Sequence, residues 1–151
     1  MANYLGLKES IRASIVKAIL GFGDSVIIPS SKNAWLTLSS TDPAIALTEP
    51  STEDSNYQRY KISPETIQVT GTTAKCIDEI KFRRSTKAWE NAYPYFAICP
   101  AETGTDDMVA WGRLTTPITA ASANIVPLFE PDSFVISFPS TDEATSEPET
   151  V

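Results

Sequence analysis

Catalysis near neutral pH runs most often through histidine, and this chain of 151 residues has none. A Ser-His-Asp arrangement therefore cannot form, however many hydroxyls are present. A serine–lysine pair would need an SxxK spacing, which is missing; Ser10, Ser14 and Lys17 fall on an ordinary helix surface. Two carboxylate pairs invite a glycosidase reading, Asp78 with Glu79 and Asp106 with Asp107. Adjacent residues in a strand point to opposite faces, so the first pair cannot converge. The second sits in a polar turn and reads as a solvated loop, with weak calcium binding as the lesser reading. Neither GxxxxGK[ST] nor GxGxxG occurs, so no phosphate cradle is expected. Without histidine or a CxxC motif, no metal site and no cofactor are expected either. The expectation is a non-enzymatic protein.

The remaining charged residues point to surfaces rather than to chemistry. Lys81, Arg83, Arg84 and Lys87 make one basic run, read as a solvated or subunit-contacting edge guarded by charge. A second reading is ion pairing to an acidic partner, including the acidic tail of another copy. That tail carries Asp142, Glu143, Glu147 and Glu149 and no base. Residues 1–138 carry 15 acids and 12 bases, so the body is only mildly acidic. This balance argues against nucleic acid as a partner, and the basic run holds one aromatic residue, Phe82, rather than an interleaved series. Trp35, Trp89, Trp111, Tyr57, Tyr60, Tyr93 and Tyr95 could form a sugar platform. Most lie on alternating strand positions and are better explained as core or interface anchors.

Two kinds of element must position these residues. Over 7–20 the period is helical: Ile11, Ile15, Ala18, Ile19 and Phe22 recur on one face, with Lys8, Arg12 and Lys17 on the other. Gly21 and Gly23 bracket the stop. Such a helix packs on its own domain, docks on a neighbouring subunit, or lies on a membrane. Its shortness and lack of tryptophan disfavour the last. Ile11, Ile15, Ile19 and Phe22 are the candidate docking residues.

Beyond the helix the period becomes two. Strands are expected at Ser25–Ile28, Trp35–Leu38, Tyr57–Ile62, Thr66–Thr70, Cys76–Phe82, Tyr95–Cys99, Met108–Thr115 and Ser133–Phe138. Ile118 to Phe129 reads as extended but interrupted by Pro127. Thr70-Gly71-Thr72-Thr73 reads as a hairpin turn, and Pro94 as a strand start. Thr48 to Asn56 is too polar for core and reads as a loop. Tyr95–Cys99 is the most apolar strand and is expected at the sheet centre. Short strands at turn-bounded intervals predict a mainly β fold. The expected form is an antiparallel β-sandwich, jelly-roll or Ig-like, with one N-terminal α-helix and an extended C-terminal tail.

Length and composition agree with one globular domain. The expected division is a helical docking arm at 1–23, a β-sandwich at 24–138 and an acidic extended tail at 139–151. The tail's composition predicts disorder in isolation, so it is read as an arm held by a neighbour. Cys76 and Cys99 read as small buried apolar residues; a disulfide would require neighbouring strands. No signal peptide is expected, and the apolar stretch Ile11 to Phe22, broken by Arg12 and Lys17, is too short to span a bilayer.

The order of short motifs is also informative. Trp35-Leu36-Thr37-Leu38 with Asp42-Pro43 comes first, then Tyr57-Gln58-Arg59-Tyr60 and Ile80-Lys81-Phe82. Trp89, Tyr95-Phe96-Ala97-Ile98 and Ala110-Trp111-Gly112-Arg113-Leu114-Thr115-Thr116-Pro117 follow, and Phe134-x-Ile136-x-Phe138 ends the series. Over residues 34–138 this order resembles small virion proteins of tailed bacteriophages, of tail-fibre, head-decoration or neck type. The resemblance implies a β-sandwich in a virion, made in the bacterial host cytoplasm, with other virion proteins as partners. It implies a structural subunit, foremost a homo-oligomeric ring at the neck or tail held by its helix and tail. Capsid decoration and a receptor- or carbohydrate-binding fibre module are the alternatives. The helix and the acidic tail lie outside the resemblance.

Overall fold

The longest strands form where the sequence is most apolar and most β-branched or aromatic. Tyr93–Cys99 and Ala110–Ile118 pair antiparallel, and Trp35–Ser39 lies on the other side of the first of them. In the computed structural model, which describes residues 3–4, 6–22, 33–104 and 108–137, the strands are β1 (Asn3–Tyr4), β2 (Gly6–Leu7), β3 (Trp35–Ser39), β4 (Tyr60–Lys61), β5 (Ile67–Thr70), β6 (Thr73–Cys76), β7 (Ile80–Lys81), β8 (Tyr93–Cys99), β9 (Ala110–Ile118), β10 (Leu128–Phe129) and β11 (Val135–Ser137). One α-helix, α1 (Glu9–Ile19), follows β2.

The strands form a five-stranded sheet in the order β2-β9-β8-β3-β4, a four-stranded sheet β1-β11-β6-β5 and a two-stranded ribbon β10-β7. All pairings are antiparallel except β1 with β11. The fold is therefore mainly β, with several antiparallel sheets and one helix near the N-terminus, as expected. β8 is the middle strand of the larger sheet, which also matches its apolar sequence. One core lies between the sheets. Leu36, Leu38, Phe96 and Leu114 come from the larger sheet, Cys76 from the smaller, and Ile80 and Phe129 from the ribbon. A chain of ring contacts links the three sheets: Phe96 meets Phe134 at 4.9 Å, Phe134 meets Phe129 at 5.1 Å, and Phe129 meets Phe82 at 6.1 Å. From there Tyr57, Trp89 and Tyr93 carry the chain back to β8.

Several strand expectations change in detail. Cys76–Phe82 is not one strand: the chain bends at 77–79, so Thr73–Cys76 joins the four-stranded sheet while Ile80–Lys81 joins the ribbon. The hairpin turn is tighter than expected. Thr70 pairs with Thr73, leaving Gly71-Thr72 as the two-residue loop, with Gly71 at φ 61°. Glycine at the first central position is what a type II′ turn requires. Tyr57–Ile62 shortens to Tyr60–Lys61, because Tyr57 and Arg59 turn inward to polar partners described below. Pro94 does not open its strand but lies inside it, where the pairing with β9 shifts register between Tyr93 and Tyr95. A bulge tolerates the missing N–H. Cys76 and Cys99 are buried on different sheets and no disulfide joins them. The strand expected at Ser25–Ile28 and the tail beyond Ser137 lie outside the described residues.

The N-terminal segment does not stand apart. β1 closes the edge of one sheet beside β11, and β2 closes the edge of the other beside β9. Gly6 faces Trp111 across that pairing, and a Cβ at Gly6 would stand 2.5 Å from the indole Cε2. The indole thus lies over a bare edge backbone, which shields a weak strand position.

Candidate assembly surfaces

Helix α1 divides along its length. Its first half is anchored: Ile11 is buried with Val109 and Ala110, and Leu7, Ile15 and Ile98 pack around them. The Lys8 N–H donates to the Val109 carbonyl at 3.1 Å, tying the helix start to β9. The second half, with the turn that follows it at 20–22, projects its apolar residues into solvent. Val16 is 55% exposed, Ile19 78%, Leu20 56% and Phe22 76%. Of the four expected docking residues, Ile11 and Ile15 thus face their own domain, while Ile19 and Phe22 face outward. Val16 and Leu20 widen that outward patch, and the one-face reading of the helix did not include them.

The basic run occupies a firmly held ridge. The Phe82 N–H donates to Pro127 O, the Ser85 N–H donates to Ile125 O, and Ser85 O accepts from the Asn124 N–H. The Ser85 hydroxyl donates to Ser122 O at 2.9 Å. Phe82 and Ser85 are consequently buried, while Arg83 and Arg84 stand out between them and Lys87 stands out just beyond. Lys81 pairs with Glu79 at 3.2 Å. The acidic residues Asp142, Glu143, Glu147 and Glu149 lie outside the described residues, as do Asp106 and Asp107.

The most densely bonded polar groups are ones the sequence reading passed over. The segment taken as a solvated loop, Thr48 to Asn56, contains the buried residues Pro50 and Asp54. Asp54, 2% exposed, accepts from Trp89 Nε1 at 2.9 Å, from the Thr86 N–H at 2.9 Å and hydroxyl at 2.7 Å, and from the Asn56 N–H at 3.1 Å. Burial pushes its pKa up, but these hydrogen bonds outweigh burial and hold it at about 2. Glu53 accepts from the Tyr93 hydroxyl at 2.6 Å and from the backbone at Glu90 and Asn91. Burial opposes these bonds, yet they lower its pKa overall. Both carboxylates therefore pin the same loop to the 86–93 segment.

A second knot lies alongside. Arg59, with a side chain only 3% exposed, binds Glu49 through two parallel contacts of 2.8 Å. Its remaining N–H groups donate to Ala101 O at 2.8 Å and to Gly104 O. Burial would lower the guanidinium pKa, but the Glu49 bond raises it overall. Glu49 also accepts from Thr37, whose hydroxyl meets the Tyr57 hydroxyl at 2.9 Å. One signal was present in sequence: Arg59 alternates with Tyr57 and so shares its inward face.

Among the described residues every buried side-chain nitrogen and oxygen has a hydrogen-bond partner. Trp89, a candidate for a sugar platform, is buried with its ring nitrogen committed to Asp54. Among the described residues no group of three or more histidine, cysteine, aspartate or glutamate side chains could hold a metal ion. No described helix is long and apolar enough to cross a membrane. None of the curated proteins matches the chain. The family model for Podophage GP4 fiber I protein gp80 does, over residues 12–137, from the first turns of α1 to the last residue of β11. The chain thus belongs to the family of Podophage GP4 fiber I protein gp80 and is a structural protein of a tailed-phage virion, made in the infected host.

Proposed function

We propose that the chain is a non-enzymatic fibre subunit that seats on a neighbouring virion protein through the outer half of α1. The observation that carries this is the division of that helix. Four large apolar side chains lie exposed within seven residues, on the end of α1 and the turn after it, while the start of the helix is anchored in the fold. Exposed apolar patches of this kind mark interaction sites in water-soluble proteins. The non-enzymatic part rests on the lack of histidine and on the buried carboxylates being saturated by structural donors. A fibre position takes precedence over a ring at the neck because the family is described as a fibre protein. A neck or tail ring, and head decoration, would use the same seat.

The test is incorporation into particles. Phage carrying Ile19→Asp with Phe22→Asp is expected to assemble virions depleted of this protein, while the purified variant keeps its melting temperature. Wild-type amounts in purified virions would sink the proposal. Imaging of wild-type particles then separates the positions: copies on projecting fibres fit the proposal, and a closed ring at the neck or hundreds of copies on the head do not.

A further inference from the structure

The ridge at Arg83, Arg84 and Lys87 is the other feature that the fold leaves unexplained. The ridge backbone is pinned on both sides, so the three cationic side chains start from fixed positions on one exposed ridge. Among the described residues none of the three lies within ion-pair distance of a carboxylate, and Glu79 pairs with Lys81. Asp78 and Glu90 flank the run in sequence without interrupting it. The rest of the body carries more acid than base, so an acidic ligand is repelled elsewhere and attracted here. The same chain supplies such a ligand. Its last ten residues hold Asp142, Glu143, Glu147 and Glu149 without one base.

The direction of β11 favours a second copy's ridge over the chain's own. Val135 faces Lys75, and Ser137 faces Thr73 at the hairpin end of β6. The ridge begins beyond the opposite end of β6, past Cys76 and the bend at 77–79. β11 therefore runs away from the end of β6 that leads on to the ridge. We propose that the acidic C-terminal segment of one copy, through Asp142, Glu143, Glu147 and Glu149, docks on the Arg83–Arg84–Lys87 ridge of a second copy. Each exposed ion pair contributes little alone. Several acting together matter where copies are already held side by side and their effective concentration is high. Nucleic acid fits the ridge less well, since the chain's net charge is −7 and the intervening Ser85 and Thr86 offer no stacking surface.

The experiment uses the full-length protein. A mixture of ¹⁴N- and ¹⁵N-labelled chains is treated with a carbodiimide, which joins lysine amines to carboxylates. Mixed-isotope peptides linking Lys87 or Lys81 to the tail acids are expected. Same-isotope links alone would mean that the tail folds back on its own chain, and would overturn the proposal. Sedimentation velocity is run in parallel at low and high salt. Self-association is expected at low salt and is lost at high salt, as screening shortens electrostatic reach. Arg83→Glu with Arg84→Glu and Lys87→Glu is expected to weaken it by about tenfold, given three exposed pairs. Reversing the four tail acids to lysine in that variant is expected to restore it. No loss on reversal, no rescue, or binding of single-stranded DNA in preference to a second copy would each overturn the proposal. These variants leave α1 intact, so failure here is distinguishable from failure of the helix seat.

Discussion

Asp54 shows how a single side chain can organise a segment that looks like solvated loop. A carboxylate accepting four hydrogen bonds from three residues fixes the path of Glu53 to Asn56 against Thr86 and Trp89. Its folded pKa of about 2 lies below the ordinary 3.8, so the charged form is the one the fold favours. Its contribution is full above about pH 4 and is lost as pH falls towards 2, with a magnitude of about 2 kcal/mol. Asp54→Asn is therefore expected to be less stable than wild type at pH 7 by about that amount. The gap in urea midpoints should narrow as pH falls from 4 to 2. A gap that stays constant across that range would show that the charge contributes nothing and that shape alone matters. None of this was legible from composition. Ser, Thr, Glu and Asp in a row read as loop because nothing local names the donors Thr86 and Trp89, 32 and 35 residues away. Arg59 was more legible, since its alternation with Tyr57 placed it inward, but its partner Glu49 belongs to the same misread segment.

At the scale of elements, period identified the helix and most strands, and geometry between elements decided where they end. The helical period over 7–20 corresponds to Glu9–Ile19. What the period could not show is that only its first half meets the sheet, because the length of the supporting surface is a property of β9 and not of α1. The consequence is a difference between residues on one stripe. Ile11→Ala removes a buried side chain and is expected to cost about 2–4 kcal/mol of stability. Ile19→Ala is expected to lie within about 0.5 kcal/mol of wild type, because that side chain is already in solvent. Equal losses in thermal unfolding would mean that the outer half is packed after all. The split of Cys76–Phe82 follows the same logic. An alternating pattern ran through both halves, yet the bend at 77–79 hands one half to each sheet, and the pattern alone carries no record of sheet membership.

For the whole molecule, the decisive feature is where the first and last described strands meet. β1 and β2 are separated by a single residue, yet β1 pairs with β11 in one sheet and β2 with β9 in the other. Seven N-terminal residues therefore close two sheet edges at once, and β1 holds the last described strand. This pairing has the largest sequence separation in the fold, and residues 1–7 carry no strand pattern strong enough to reveal it. Open edges present unpaired backbone groups that recruit other strands. Deleting residues 1–7 is expected to expose β9 and β11 together and to loosen α1, which is tied to β9 through Lys8. The truncated protein should melt several degrees lower and form salt-insensitive aggregates, unlike the salt-sensitive association argued for the tail. A milder probe, Gly6→Ala, places a Cβ against the Trp111 ring and should push β2 from β9 alone, at about 1–3 kcal/mol. If both variants melt with wild type, the two sheets are held by their shared aromatic core, and the N-terminal strands only cover edges already stable without them.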